Sequence, residues 1–173
     1  TLFNYVVGDR SQELPNGSFR KRNSLLGDIV NSTMVVVNRH DFGYTQDQTG
    51  IAGYSDFLRQ KQLRPPVLYV GANDGFLHAF HGESGKELFA YMPREAMPNV
   101  RSLADPSYGH RFFVDGKLHE HDVFTGGAWR TVLVGGMGAG GKSVFALDVT
   151  NAETFGAGNV LWEFTDSDMG FSY

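Results

Sequence analysis

Short apolar runs of about five residues, separated by turns rich in Gly, Asn and Asp, recur along this chain and fit the strand template better than the helical one. The clearest unit is Arg64 to Pro93. It reads as the run Val67-Leu68-Tyr69-Val70-Gly71, the turn Asn73-Asp74-Gly75, the run Phe76 to Phe80, the turn Gly82-Glu83-Ser84-Gly85-Lys86 and the run Glu87 to Tyr91. Asn and Asp accept Asx-bonded or left-handed backbone, and Gly takes positive φ without a Cβ clash, so the first turn predicts an antiparallel hairpin.

This meander recurs. Trp129 to Gly136, Lys142 to Thr150 and Asn159 to Phe164 follow the same order, with a Gly-rich turn after the first run. Aligned by chemistry, Tyr69-Val70-Gly71 falls on Leu133-Val134-Gly135 and Leu77-His78-Ala79-Phe80 on Val144-Phe145-Ala146-Leu147. Glu87 to Tyr91 falls on Val160 to Phe164. A repeated hairpin-plus-strand unit points to propeller blades rather than a sandwich. Closure needs at least about four blades of roughly 40 to 45 residues, so residues 1–173 are expected to form a partial β-propeller domain. Its blade-like units are expected near 28–93 and 110–166, with a lead-in over 1–27 and open ends that show apolar sheet faces unless covered. The expected core is Leu68, Val70, Leu77, Ala79, Leu88, Val132, Val134, Phe145 and Leu161.

Around these units, Val35-Val36-Val37 predicts a strand buried on both faces, and Asp28, Asn31 and Ser32 before it are expected to bond loop N–H groups. Residues 39–62 interrupt the strands; Ala52 to Gln62 predicts two to three helical turns with Tyr54, Phe57, Leu58 and Leu63 near one face. Pro65-Pro66 ends that helix. The segment 94–108 reads as a connection with one helical turn. His110 to Val114 and Leu118 to Phe124 predict a hairpin around Asp115-Gly116-Lys117. The basic run Arg20-Lys21-Arg22 predicts salt-bridged loop residues beside Asp9, Glu13 and Asp28.

Composition narrows the function classes. With 22 Gly, 13% aromatic and 20% charged residues the chain suits short strands and tight turns. A formal charge of −4 gives no footprint for nucleic acid, and no apolar run is long enough for a membrane span. Cys is absent, which excludes disulfides, Cys-ligated metal and a thiol nucleophile.

Candidate chemistry is sparse. Gly136-x4-Gly141-Lys142-Ser143 matches the phosphate loop in spacing, but Val144 to Val149 follows as a strand where a helix N-terminus is required, so a hairpin loop is expected. His119 and His121 share one face of a strand and would hold zinc only with further ligands such as His110 or Asp122; partly exposed strand histidines are the simpler reading. His78 is expected on a strand surface and His81 in the following turn. Asp166-x-Asp168 lacks the ligand spacing of an EF-hand. Trp129 and Trp162 are expected to pack between blades rather than stack on a cofactor. No catalytic or cofactor-binding residue is assigned, and metal ligands stay unassigned.

Four stretches carry a family resemblance: Leu26 to Ser32, Tyr69 to Phe80, Tyr108 to Gly116 and Thr131 to Lys142. They resemble the C-terminal propeller of the PilY/PilC family of type IV pilus tip-associated proteins, with the Gly8-Asp9-Arg10 opening and the Leu161-Trp162-Glu163-Phe164 strand extending the likeness. The resemblance implies an all-β, modified seven-bladed β-propeller, of which this chain is a fragment of about two blades with loop insertions. It also implies a non-enzymatic protein of the bacterial surface, pilus tip or outer membrane, reached by way of the periplasm. Such proteins support pilus biogenesis, oppose retraction and serve surface adhesion, virulence and twitching motility. The implied partners are minor pilins or other pilus components, an N-terminal adhesive domain of the same protein, and a host or abiotic surface. Calcium is expected in the longer protein, bound outside this fragment. Met34 and His81 depart from the family pattern, which commonly has Pro and Asp there. The central unit also resembles the repeats of pyrroloquinoline-quinone dehydrogenases, so a quinone-dependent dehydrogenase propeller fragment is one alternative reading and a generic surface binding propeller is the other. The loops 39–62 and 94–108 are the expected contact surfaces.

Overall fold

The Asn73-Asp74-Gly75 turn closes as its residues require. The Ala72 N–H donates to the Phe76 carbonyl at 2.9 Å, the Phe76 N–H to Asp74 Oδ1 at 3.1 Å, and Gly75 takes φ +99°. A computed structural model describes residues 1–46 and 50–165 of the chain. In it β1 (Val35–Val37), β2 (Val67–Gly71), β3 (Leu77–His81) and β4 (Glu87–Tyr91) form one antiparallel sheet in that order. A second antiparallel sheet contains β5 (Leu118–Thr125), β6 (Ala128–Gly136), β7 (Ser143–Asp148) and β8 (Val160–Thr165). Helix α1 (Leu2–Val6) opens the chain, and α2 (Tyr54–Lys61) lies between β1 and β2.

The sheets meet face to face. Tyr69, Leu77, Ala79 and Tyr91 of the first and Leu118, Leu133, Phe145 and Leu147 of the second form one buried cluster. Phe89 stacks on Phe155 of the β7–β8 connection at 3.8 Å, and Tyr91 meets Phe145 edge-on at 5.3 Å. Each buried aromatic removes a large apolar area from water, so this interface is the main hydrophobic contribution to the fold. The pair of sheets is open, as two neighbouring blades of a propeller are.

Register corrects the chemical alignment of the repeats. Gly71 pairs with Leu77 and Gly135 with Phe145, so Leu77 corresponds to Phe145, His78 to Ala146 and Ala79 to Leu147. Tyr91 likewise corresponds to Glu163. The sequence alignment is one residue out in the third and fourth strands, a slip that exchanges the two faces. Val134, on the correctly aligned second strand and expected in the core, lies on the side of its sheet that faces away from the interface and is exposed. Leu68, Leu88 and Leu161 are half-buried.

Three further expectations change. Val36 is exposed because it points, with its partner Leu68, to the face of the first sheet turned away from the second, while Val35 and Val37 point to the core. Residues 110–114 form no strand: the Phe113 and Val114 N–H groups donate to Asn73 Oδ1 and the Ala72 carbonyl in the β2–β3 turn, and the Asp115 N–H donates to the Met137 carbonyl in the β6–β7 loop. The hairpin of this region is β5–β6 instead. Leu63 falls beyond α2 and is exposed; the buried stripe is Tyr54 and Lys61, with Phe57 half-buried between them.

Candidate functional site at the seam between the sheets

Residues 27–33 cross the seam without regular secondary structure and spend their polar groups on residues of both sheets and their turns. On the first sheet, Gly27 N–H donates to Asp74 Oδ2 at 2.7 Å, Asn73 Nδ2 donates to Asp28 Oδ2 at 3.1 Å, and Gly71 N–H donates to Ser32 Oγ at 2.9 Å. Toward the second, Asn31 donates from its backbone N–H and its Nδ2 to the buried Asp115 carboxylate, and Leu118 N–H donates to Thr33 Oγ1 at 3.0 Å. The expectation that Asp28, Asn31 and Ser32 bond loop N–H groups is corrected: Ser32 accepts the N–H of Gly71 in β2, the Asp28 carboxylate bonds the Asn73 and His110 side chains, and Asn31 donates to Asp115. Burial alone would raise the Asp28 pKa, but hydrogen bonds from Asn73 and from His110, 2.8 Å away, hold it below the ordinary carboxylate value. Gly71 is required by space: a Cβ there would run into the Val114 carbonyl and Ser32 Oγ.

The insertion between β1 and β2 reaches over to the second sheet. Lys61 and Asp122 of β5, 1% and 0% exposed, form an ion pair at 2.8 Å. Tyr54 Oη and Thr131 Oγ1 also donate to the Asp122 carboxylate, and Lys61 donates to the His40 carbonyl and lies over the Phe42 ring. Trp129 Nε1 donates to the Ala52 carbonyl while its ring packs against Tyr44 and Tyr54. A strap that belongs in sequence to one sheet is thus anchored in the other. Trp129 packs on this strap, and Trp162 is exposed on the outward face of the second sheet.

The Gly-rich loop between β6 and β7 does seat an anion, and the anion is the protein's own. The Lys142 and Ser143 N–H groups donate to the Glu95 carboxylate at 2.7 to 3.1 Å. Glu95 sits in a short 3-10 turn, Arg94–Ala96, of the connection after β4. Beside it, Tyr91 Oη donates to Glu163, and burial followed by that carboxylate pushes the phenol pKa up. Glu120 Oε2 and Tyr69 Oη are also buried at the seam; burial raises both pKa values, and the Glu120 charge adds to the rise at Tyr69.

His78 is buried rather than on a strand surface. Its Nδ1 lies 2.6 Å from Glu87 and its Nε2 3.1 Å from Asp74, on the face of the first sheet turned away from the second. Burial works against the imidazolium, yet the Asp74 and Glu87 carboxylates outweigh it and raise the pKa. His81, expected in the turn, is instead the last residue of β3, paired with Val67, and its Nδ1 accepts from the Glu83 and Ser84 N–H groups of the turn that follows.

The zinc candidates are dispersed. His121 bonds Tyr44 at 2.7 Å, His110 bonds Asp28, Asp122 is committed to Lys61, and His119 lies exposed on the outward face. Among the described residues no group of three or more His, Asp or Glu is placed to hold a metal ion; Asp166 and Asp168 lie outside the described residues. Arg22 of the basic run is buried on Glu13 at 2.7 Å, the salt bridge expected there. The loops expected as contact surfaces are largely built into the molecule: 39–62 carries the strap, and 94–108 carries Glu95 and buries Leu103 and Ala104. Exposed charges remain at Asp56, Arg59, Arg94 and Arg101. Lys61 and Glu95 were missed from sequence; the available signal was a lysine on the apolar stripe of α2.

Two four-stranded antiparallel meanders, joined face to face and left open, define this chain as part of a β-propeller. The chain belongs to the family described as the PilY1 beta-propeller domain, whose model matches residues 26–170. It is 46% identical over 172 residues to a type IV pilus biogenesis factor PilY1 homolog of Xylella fastidiosa, covering 96% of this chain and 14% of that protein. It is 41% identical to the type IV pilus biogenesis factor PilY1 of Pseudomonas aeruginosa strain PAK, covering 98% of this chain and 15% of that protein. The crystal structure of the Pseudomonas aeruginosa PilY1 C-terminal domain superposes with a TM-score of 0.62 at 37% identity, over 79% of this chain and 27% of that one. The chain therefore spans about a seventh of the curated relatives it matches. These relatives lend no support to the quinone-dehydrogenase alternative.

Proposed function

We propose that this chain is part of a non-enzymatic, pilus-associated protein that supports type IV pilus biogenesis, opposes retraction and serves surface adhesion and twitching motility. The observation that carries this reading is the family match over residues 26–170, joined to relatives of 41 and 46% identity described as type IV pilus biogenesis factors. In this reading residues 28–93 and 110–166 are two blades of a seven-bladed disk. Calcium is bound elsewhere in the longer protein, and the protein works at the cell surface, at the pilus tip or outer membrane, after crossing the periplasm. Its partners are minor pilins, an N-terminal adhesive domain and the surface to which the cell attaches.

Mechanically, the seam holds the blades rigid and leaves contact to exposed loop charges. Deletion of the gene is expected to abolish surface pili, twitching zones and attachment, and the wild-type gene to restore them. Full-length protein with Asp56→Lys, Arg59→Glu, Arg94→Glu and Arg101→Glu should be made at normal levels yet restore attachment poorly. A deletion strain that keeps its pili and twitches normally would overturn the reading.

A further inference from the structure

At one end of the seam lies a groove of about 390 Å³. Val37 and Val67 of the first sheet, Pro65, and Val149 and Ala152 after β7 form its apolar walls, and Arg64 lines it with them. The guanidinium is half-buried, stacks over the Phe57 ring at 4.9 Å and makes one hydrogen bond within the described chain, from Nη1 to Thr131 Oγ1 at 3.3 Å. An arginine carries five N–H donors in a planar fork. The two acids nearest in charge are already committed: Asp122 to Lys61, Tyr54 and Thr131, and Asp148 to Arg130 and Thr150. Burial lowers the Arg64 pKa, with Asp122 and Asp148 opposing, so the charge is held in a partly dry place without an ion pair of its own.

We propose that this groove binds a carboxylate carried on a branched aliphatic group, with the Arg64 fork taking the carboxylate and the valine walls taking the aliphatic part. A carboxylate matches the guanidinium fork in shape and charge, and the pairing strengthens as water is excluded. A phosphate dianion fits less well: Arg64 is the one cation among the lining residues, and Glu153 at the groove adds an opposing charge. The volume suits one residue of a peptide, as at a chain terminus or an acidic side chain next to leucine. The inference stands on the groove and not on the pilus reading.

Calorimetric titration of the full-length protein tests it with three probes: N-acetyl-leucine, N-acetyl-aspartyl-leucinamide and the uncharged N-acetyl-leucinamide. At least one carboxylate probe should saturate with a Kd on the order of 1 mM, and the uncharged probe should not. Either carboxylate probe binding sustains the proposal, and the tighter one tells terminus from side chain. Arg64→Met should weaken binding by about tenfold or more, since a buried carboxylate would lose its partner. Glu153→Gln, at an exposed position, should tighten it about twofold at low salt. Equal binding of the uncharged probe, no saturable heat up to about 10 mM, or affinity indifferent to Glu153→Gln would each overturn it, whether or not Arg64→Met folds.

Discussion

Val70 and Val134 hold the same place in their sheets, pairing with the equivalent residues His78 and Ala146, yet one is 2% exposed and the other 37%. Both point away from the interface. On the first sheet, Val6, Val7, Leu25 and Leu26 of the lead-in border the same cavity as Phe76, His78 and Phe80, and Gly27 is tied to Asp74. On the second, Val134, Trp162 and Phe164 form an exposed apolar face. Apolar patterning marks which side of a strand is greasy; whether that side is dry depends on what the rest of the chain lays over it.

The side shared by both sheets supplies the largest expected effect and the reference for this contrast. Asp122→Ala strands a buried ammonium and should cost about 3–5 kcal/mol in chemical denaturation. Next comes the direct comparison: Val70→Ala is expected to cost about 1–2 kcal/mol and Val134→Ala under about 0.5 kcal/mol. Equal losses at the two positions would show that the lead-in does not distinguish the faces. The smallest effect is a pH dependence confined to the covered face. Because His78 binds its proton more tightly folded than unfolded, its contribution is complete below the unfolded value near 6.5 and disappears as pH rises through the raised folded value. The thermal midpoint should fall across that window, and His78→Gln should flatten the fall. An unchanged slope in the variant would remove His78 from the account.

What the sequence disclosed follows from range. The Asn73-Asp74-Gly75 turn and the Val67 to Tyr91 meander were legible because turn chemistry and strand pattern are local. The register of the second repeat was not, since Val144 and Phe145 are adjacent and both apolar, so alternation fits either face until Gly135 pairs with Phe145. Lys61 and Asp122 are distant in sequence, and each alone looks like a solvated charge. The Gly-rich loop was readable as a hairpin, but its occupant Glu95 comes from an earlier connection. His78 was misjudged because its carboxylate partners are brought together by the turn and the neighbouring strand.

The strap has one more effect, on how the chain comes apart. Its two ends belong to β1 and β2, while its middle is locked onto β5 and β6, so neither half can melt and leave the other intact. Heating should therefore trace a single cooperative transition across both repeats, and pulling on the chain should meet one mechanical unit rather than two beads on a string.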